Sequence, residues 1–344
     1  AIHLKRAEPN KSVAILERGM LPWGASTRNA GFACFGSIGE IVMDLKQHSE
    51  EEVLQLLQMR KDGLALLESL VGSRLMQLDF CGNYEVFRHS EKVEWQALQA
   101  EIPRINKMLR PVFEQDVFSS STKNFGFENT LGMIFNRYEG MLNTGKMMTS
   151  LLKLAQREGV EIYNGAQVQS FEESLDGIKV NLANGLKMNA EKLLICTNAF
   201  AGSLLNLPEL LPARNQVLIT KPIADLNFKG AFHAESGHLY FRTVGKRILI
   251  GGGRQHFTAE QNTTALEITD EVQHYLERQL RELIIPRHNF EVDYRWAGII
   301  GIGPKKTPLI KRVSDRVFIG VRLGGMGVAL GSAVGKKLSE LAIN

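Results

Sequence analysis

The sequence predicts a mixed α/β fold, in which parallel strands alternate along the chain with antiparallel ones. Residues 13–16 form a short continuous apolar run, which is typical of a parallel strand covered on both faces, and residues 193–197 repeat this pattern. Between these runs, residues 178–182 and 186–188 are strand-like segments on either side of Asn184-Gly185, a dipeptide that favours a two-residue hairpin turn. Both kinds of strand are therefore expected in one chain.

The other elements follow from the spacing of apolar residues and from helix-ending signals. Residues 1–8 have helical spacing that ends at Pro9, and a helix over 144–158 is ended by Gly159. Further helices are predicted over 40–70, 91–109 (interrupted by Pro103), 264–284 and 326–342, and further strands over 160–163, 167–172, 216–220, 239–242, 247–251, 290–297 and 317–320. Because α/β-type elements lie at both ends and in the middle, we expect two interleaved domains, one from 1–38, 141–205 and 296–344, the other from 39–140 and 206–295.

The composition limits the class of partner. The chain has 344 residues, 44% of them hydrophobic, and a net charge of +4 without a long basic run, so we expect no nucleic-acid partner. Its apolar stretches are shorter than the ~20 residues of a membrane span, so we expect no integral membrane contact. Cys34, Cys81 and Cys196 lack the spacing of a disulfide framework or a zinc site. We therefore expect three buried thiols, no metal and a cytoplasmic location.

The first candidate site residue is Glu17, which directly follows the apolar run 13–16. An acid at the end of the second strand of a dinucleotide-binding unit accepts hydrogen bonds from ribose hydroxyls, and a Gly-x-Gly-x-x-Gly turn normally precedes it by about 20 residues. Here the chain begins at Ala1, within the helix that would follow such a turn. We therefore expect the sequence to be an incomplete copy of a longer protein. An ordinary surface glutamate at a strand end is the alternative.

Two glycine-containing segments are candidates for ligand contact. Residues 24–31 combine two glycines with hydroxyl and amide side chains around Arg28, a composition that suits a pyrophosphate. Residues 324–327 contain three glycines and open the last predicted helix, whose first N–H groups would point at a ligand. The alternatives are a turn rich in small residues for the first segment and close helix–strand packing for the second.

Taken together, these motifs resemble those of the FAD-dependent oxidoreductase family of D-amino acid oxidase, glycine oxidase and sarcosine oxidase. The nearest resemblance is to its putrescine-oxidoreductase-like bacterial members, and it covers nearly the whole chain. It also includes residues 159–162, 196–199, 216–218, 239–242, 250–253, 296–298 and 320–335. The resemblance implies a three-layer ββα FAD-binding domain, formed by residues 1–38, 141–205 and 296–344. It is interleaved with an antiparallel-sheet substrate domain, residues 39–140 and 206–295, which covers the flavin.

The resemblance also implies roles for individual residues. Glu17, with Arg18 beside it, would bind the adenosine ribose, and Val168 would offer its backbone to adenine. The residues expected at the pyrophosphate and flavin are Ser26, Thr27, Arg28, Asn29 and Gly31, with Thr197 and Asn198 beside the cofactor and Gly325, Met326 and Gly327 facing the flavin pyrimidine. Members with covalently bound flavin have a cysteine just before the last glycine segment. None stands there in this chain, so non-covalent FAD is expected.

The implied reaction is oxidation of an amine or amino-acid-like substrate by hydride transfer to flavin N5, followed by hydrolysis of the imine. Tyr240 matches a substrate-contacting position of glycine-oxidase-like members. Members that oxidise amino acids commonly have an arginine after the Trp-x-Gly motif, but this chain has Ile299-Ile300-Gly301 there, which argues against a simple α-amino acid. Arg242, Arg254 or Arg295 could take that place; we select Tyr240, Arg242 and Arg254 as the catalytic candidates.

Several alternatives stay open at this point. A flavin-binding protein without turnover, or a truncated interaction protein, would also carry these motifs. The electron acceptor (oxygen or another compound) and the oligomeric state are not specified by the sequence. The aromatic side chains between residues 72 and 140 could form a wall of the substrate pocket or part of the core; they are Phe113, Phe118, Phe125, Phe127, Phe135 and Tyr138.

Overall fold

The computed structural model describes all 344 residues, and its helices lie largely where the apolar spacing predicts them. The helices are α1 Ile2–Ala7, α2 Ala25–Arg28, α3 Ile38–Asp44, α4 Glu50–Val71, α5 Ser73–Met76, α6 Lys92–Leu109, α7 Thr144–Arg157, α8 Thr258–Gln261, α9 Asp270–Gln279 and α10 Gly327–Ile343. Short 3₁₀ turns cover His89–Glu91, Asn198–Ser203, Glu235–Gly237 and Arg254–His256, and a π turn, Leu280–Ile284, continues α9.

The strands range from 2 to 11 residues in length. They are β1 Ala14–Leu16, β2 Phe32–Ala33, β3 Asn83–Arg88, β4 Phe118–Ser121, β5 Thr130–Asn136, β6 Gly140–Met141, β7 Glu161–Tyr163, β8 Val168–Ser174, β9 Gly177–Leu182, β10 Lys187–Ala190, β11 Leu193–Ile195, β12 Leu211–Thr220, β13 Ala231–Ala234, β14 Leu239–Val244, β15 Arg247–Gly252, β16 Val292–Ile302, β17 Leu309–Arg312 and β18 Val317–Val321. The predicted hairpin at Asn184-Gly185 is confirmed, since β9 and β10 pair antiparallel around it.

An eight-stranded sheet is the largest unit, in the order β16-β12-β15-β14-β13-β3-β5-β4. All of its neighbours are antiparallel except β13 and β3. Side chains alternate between its two faces. Phe232, Phe241 and Ile248 pack with Val272 and Leu276 of α9. Tyr240 precedes Phe241 on β14 and therefore lies on the opposite face, which is turned towards a large cavity.

The parallel strands form two separate small sheets. β1 pairs with β7, and β11 pairs with β18 in the order β11-β18-β17. Helix α10 follows β18 directly and packs against α4, where Gly63 allows the two helix backbones to approach closely. The free edges of β1 and β11 both line the same cavity that Tyr240 faces. The mixed α/β fold is confirmed; the domain boundaries stay a prediction.

Three predicted helices differ from the observed ones. The helix expected over 40–70 is two helices, because Ser49 forms a capping box with Glu52 that starts α4 anew. Pro103 does not interrupt α6, which buries Leu98 and Ile105 on either side of it. The helix expected from residue 264 begins only at Asp270, and its last turn, Leu280–Ile284, is a π turn.

The aromatic residues between 72 and 140 belong to the core. Phe125 and Phe127 meet the ring of Phe232 edge-on, with centroids 4.9 and 5.0 Å apart, and Tyr84 stacks on it from another side. Phe113 packs between other buried side chains of the α4–α6 region. None of the six residues lines the large cavity. Core packing, rather than a pocket wall, is therefore their role.

The three cysteines are unpaired, and all three are more accessible than the sequence predicts. Cys34 and Cys81 are half-buried, whereas Cys196 is exposed. Cys196 follows the last residue of β11, where the strand opens into the cavity, so its thiol is not covered by the core.

None of the helices combines the length and the apolar composition that a membrane span requires.

Candidate active site

A cavity of about 2160 Å³ separates the large sheet from the parallel strands and the start of α10. Most of the residues singled out in the sequence line it, although they come from distant parts of the chain. They are Glu17, Arg18, Ser26, Arg28, Asn29, Gly31, Val168, Thr197, Asn198, Tyr240, Arg254, Gly325, Met326 and Gly327. Thr27 and Arg242 are not among the lining residues. A concave space in which apolar surface and converging polar groups are combined is typical of a ligand site.

Glu17 lies at the carboxyl end of β1, as predicted. Its backbone N–H donates to the carbonyl of Tyr163 in β7 (2.9 Å), which extends the parallel pairing by one residue. Its Oε1 accepts a hydrogen bond from the backbone N–H of Gly19 (2.8 Å). The carboxylate is therefore held at the cavity wall by the turn that follows the strand.

The segment 24–31 is fixed from three directions. Arg28 donates from Nη1 to the carbonyl of Ala297 (2.8 Å) and from Nε to that of Trp23 (2.9 Å), while Trp296 donates to the carbonyl of Arg28 (2.9 Å). Asn29 accepts from the Thr144 hydroxyl at the start of α7 (2.9 Å). Since a guanidinium has five N–H donors, Arg28 keeps donors for a ligand.

Thr27 departs from the prediction that it faces a ligand. Its hydroxyl donates to the carbonyls of Pro22 (2.9 Å) and Gly24 (3.1 Å), so it closes the turn before the segment instead. This position belongs to the one-turn helix α2, in which successive side chains point about 100° apart. Its neighbours Ser26 and Arg28 therefore line the cavity while Thr27 does not.

The glycine segment before α10 leaves open space in front of the helix. Gly324 and Gly325 have φ of +56° and +83°, and a Cβ on Gly324 would meet no atom within 4 Å. Asn198 supports the approach to this segment, since its Oδ1 accepts from the backbone N–H groups of Arg322 (3.0 Å) and Leu323 (3.3 Å). The N-terminus of α10, a helix of 17 residues, therefore points its unpaired N–H groups into the cavity.

Tyr240 lies on the cavity face of β14. Its ring meets Phe32 edge-on (5.5 Å between centroids), and Phe32 also stacks on His233 of β13 (5.2 Å). A Cβ at Gly251, directly opposite in β15, would lie 2.6 Å from Tyr240 Cε2, so glycine at this position makes room for the ring. Burial raises the pKa of Tyr240 and lowers the pKa of His233 to about 4. Both side chains are therefore neutral near pH 7.

The three candidate arginines have different surroundings. Arg242 is buried, and its Nη1 donates to the carbonyls of Gly31 (2.9 Å) and Leu142 (2.8 Å), so it joins the segment 24–31 to the approach of α7 and does not reach the cavity. Burial lowers its pKa to about 10, so it remains a cation. Arg295 is paired with Glu277 (2.5 Å) outside the cavity. Arg254 lines the cavity and forms no ion pair, since the nearby carboxylate, Glu235, pairs with Arg88 and His256.

Sequence reasoning missed two buried carboxyl groups behind the cavity wall. Glu85 accepts from the Ser37 hydroxyl (2.8 Å) and the Gly39 N–H (3.2 Å), and Glu139 accepts from two N–H groups of residues 35 and 36 (2.7 and 2.9 Å). Burial raises the pKa of each to about 7. The only sequence signal was an acid within an apolar run, as in Tyr84-Glu85-Val86, which is easily mistaken for an exposed strand position.

Known proteins resemble this chain in sequence and in fold. A family model described as FAD dependent oxidoreductase (DAO) matches residues 1–341. A probable oxidoreductase, OrdL, of Haemophilus influenzae is 22% identical over 370 residues, covering 98% of this chain and 78% of that protein. Glycine oxidase from Geobacillus kaustophilus superposes with a TM-score of 0.77 at 19% identity, covering 99% of this chain and 90% of the other.

Two further solved structures have the same fold. L-proline dehydrogenase from P. horikoshii has a TM-score of 0.75 at 18% identity, with 99% of this chain and 89% of that one covered. Iminodiacetate oxidase from Chelativorans sp. BNC1 has a TM-score of 0.77 at 15% identity, with coverages of 99% and 92%. At these identities the structures show the fold, whereas the family model covers nearly every residue. The chain therefore belongs to the FAD-dependent oxidoreductase (DAO) family, whose cofactor is FAD.

Proposed function

We propose that the protein oxidises the carbon–nitrogen bond of an amino acid whose carboxylate is bound by Arg254. The observation that carries this proposal is the state of Arg254: it lines the cavity on the turn after β15 and has no carboxylate partner within the chain. Arg242 and Arg295, the other two candidates, have their donors engaged elsewhere. A guanidinium left unpaired in a partly buried cavity suits an anionic substrate group.

The residues present fit FAD along the length of the cavity. We assign Glu17 and Arg18 to the adenosine ribose, the backbone of Val168 to adenine, and Ser26, Arg28 and Asn29 to the pyrophosphate. The open space at Gly324 and the N-terminus of α10 suit the electron-rich pyrimidine end of a flavin. Gly31 contributes its backbone, and Thr27 and Arg242 support the segment from behind.

Bound FAD supplies an acceptor for two electrons as a hydride. The protein's own residues orient the substrate: Arg254 holds the carboxylate, and the neutral Tyr240 phenol, which lines the same cavity, donates a hydrogen bond to the substrate. Tyr240 lies opposite Gly251, and Arg254 follows Gly251 by three residues, so both groups are close to the same end of β15. The substrate loses its α-hydrogen and an N–H proton, and water then converts the imine to a carbonyl compound and ammonia.

The test compares substrate binding in three forms of the FAD-loaded protein: wild type, Arg254→Met and Arg287→Met. Arg287 is a surface arginine paired with Glu128 (3.3 Å) and serves as the control. Steady-state rates are measured with an α-amino acid and with the amine that lacks its carboxylate. Because a buried charge-assisted hydrogen bond contributes about 1.5–3 kcal/mol, we expect KM for the amino acid to rise ~10- to 100-fold in Arg254→Met only. Equal KM values in all three forms would overturn the assignment.

A further inference from the structure

Glu235 is the centre of a hydrogen-bond cluster beside the cavity, although it takes no part in the chemistry above. Its carboxylate accepts from Arg88 Nη1 of β3 (2.9 Å), from the Tyr275 hydroxyl of α9 (2.7 Å) and from Gln255 Nε2 (2.6 Å). His256 Nε2 lies 3.1 Å from the same carboxylate. One side chain, 16% exposed, therefore connects a strand, a helix and the turn Arg254–His256.

The backbone at Glu235 is in a conformation that non-glycine residues rarely adopt. Glu235 and Ser236 have φ of +53° and +52°, and Gly237 follows with +86°. Two successive non-glycine residues in the left-handed region persist only where the surroundings hold them, and such residues cluster at ligand sites. Ser236, Gly237 and His238 line the cavity, so the strained segment is part of its wall.

The same cluster holds the turn that carries Arg254. Gln255 and His256, the two residues that contact Glu235, directly follow Arg254 in this turn. The backbone N–H of Gly253 donates to the carbonyl of His238 (3.1 Å), which joins the turn to the strained segment. Arg254 is thus fixed through its neighbours on both sides, while its own guanidinium stays free of a carboxylate partner.

We propose that Glu235 is a positioning residue that fixes Arg254 for carboxylate binding and so sets the preference for amines that carry a carboxylate. The inference rests on the proposed function. Its physical basis is pre-organisation: an arginine whose backbone is held in place loses less conformational entropy on binding an anion than one on a mobile turn. Glu235→Gln keeps the side-chain shape but turns an amide N–H₂ towards groups that are themselves donors.

The kinetic test uses FAD-loaded Glu235→Gln, with Glu277→Gln as the matched control. Glu277 is a second carboxylate held by charged partners, Arg281 and Arg295, and neither it nor these partners contact the cavity-lining turn or line the cavity. We expect KM for the amino acid to rise ~10-fold in Glu235→Gln with kcat little changed, and KM for the decarboxylated amine to stay the same. Glu235→Asp, which keeps the charge, should recover part of the loss. A variant that merely folds poorly would affect both substrates alike, and that result would overturn the proposal.

Amide hydrogen exchange separates this inference from the proposed function, because it needs no substrate. The N–H of His256 donates to the Gly253 carbonyl and that of Phe257 to the Arg254 carbonyl. We expect these amides to exchange at least ~10-fold faster in Glu235→Gln, with α7 unchanged. Unchanged exchange at the turn overturns the positioning role even if wild type oxidises amino acids. Faster exchange in a protein that does not select for carboxylates supports the positioning role and refutes the proposed substrate.

Discussion

Replacing Glu85 with glutamine should make the stability of the protein less dependent on pH. Glu85 is 3% exposed, and burial raises its pKa from 4.5 to about 7 in the folded state. Between pH 4.5 and about pH 7, Glu85 is therefore protonated more often in the folded chain than in the unfolded chain. Stability therefore decreases as the pH rises through this window and levels off above pH 7.

The magnitude follows from the difference between the two pKa values. One pKa unit corresponds to about 1.4 kcal/mol, so the rise from 4.5 to about 7 amounts to about 3 kcal/mol at pH 8. Glutamine is neutral at every pH, and its Oε1 can accept from the Gly39 N–H while its Nε2 donates to the Ser37 hydroxyl oxygen, as the protonated oxygen of Glu85 would. Glu85→Gln should thus match wild type near pH 4.5 and exceed it by about 3 kcal/mol at pH 8.

The assay is urea unfolding followed by tryptophan fluorescence at pH 5 and pH 8, with both proteins at the same FAD concentration. Glu139→Gln provides a second case, since burial raises the pKa of Glu139 to a similar value. Glu51→Gln, on the exposed face of α4, is the control and should change neither curve. If wild type and Glu85→Gln lose the same stability between the two pH values, Glu85 is not held protonated by the fold and the reasoning is refuted.

Two further predictions concern glycines at which an added Cβ would collide with neighbouring backbone atoms. Gly31→Ala should cost about 2–4 kcal/mol of unfolding free energy, because φ is +74° there and a Cβ would collide with the carbonyl of Leu142; Gly24→Ala, whose Cβ meets no atom within 4 Å, should cost under about 1 kcal/mol. Gly63→Ala should separate α4 from α10 and lower the thermal midpoint by several degrees, while Gly335→Ala, in open space on α10, should leave it unchanged or raise it. Equal midpoints for the last pair would contradict the close packing.

Local signals were sufficient for much of the fold. The Gly159 that ends α7 and the hairpin at Asn184-Gly185 each reflect interactions between residues close in sequence. The same holds for the start of α10 after Gly325. The apolar run before Glu17 is recognisable from its composition, although its partner strand β7 lies far along the chain. For these reasons most of the cavity-lining segments can be predicted from the sequence alone.

Long-range contacts account for what the sequence did not reveal. Arg242 supports Gly31 and Leu142 from more than 90 residues away, so its hydrogen bonds could not be anticipated from spacing. The free state of Arg254 likewise depends on Glu235 contacting the residues after it and not Arg254 itself. The burial of Glu85 could not be predicted, because a strand in the middle of a sheet can bury an acidic residue that the alternation of the sequence alone would place in solvent.

The most direct test of the central claim is a single-turnover reaction of the FAD-loaded protein under anaerobic conditions. The protein is mixed with α-amino acids and their decarboxylated amines, and flavin absorbance, carbonyl product and ammonia are measured together. We expect at least one amino acid to bleach the flavin band and to yield about one carbonyl compound and one ammonia per FAD. A flavin that dithionite reduces but that no amino acid reduces would contradict the account.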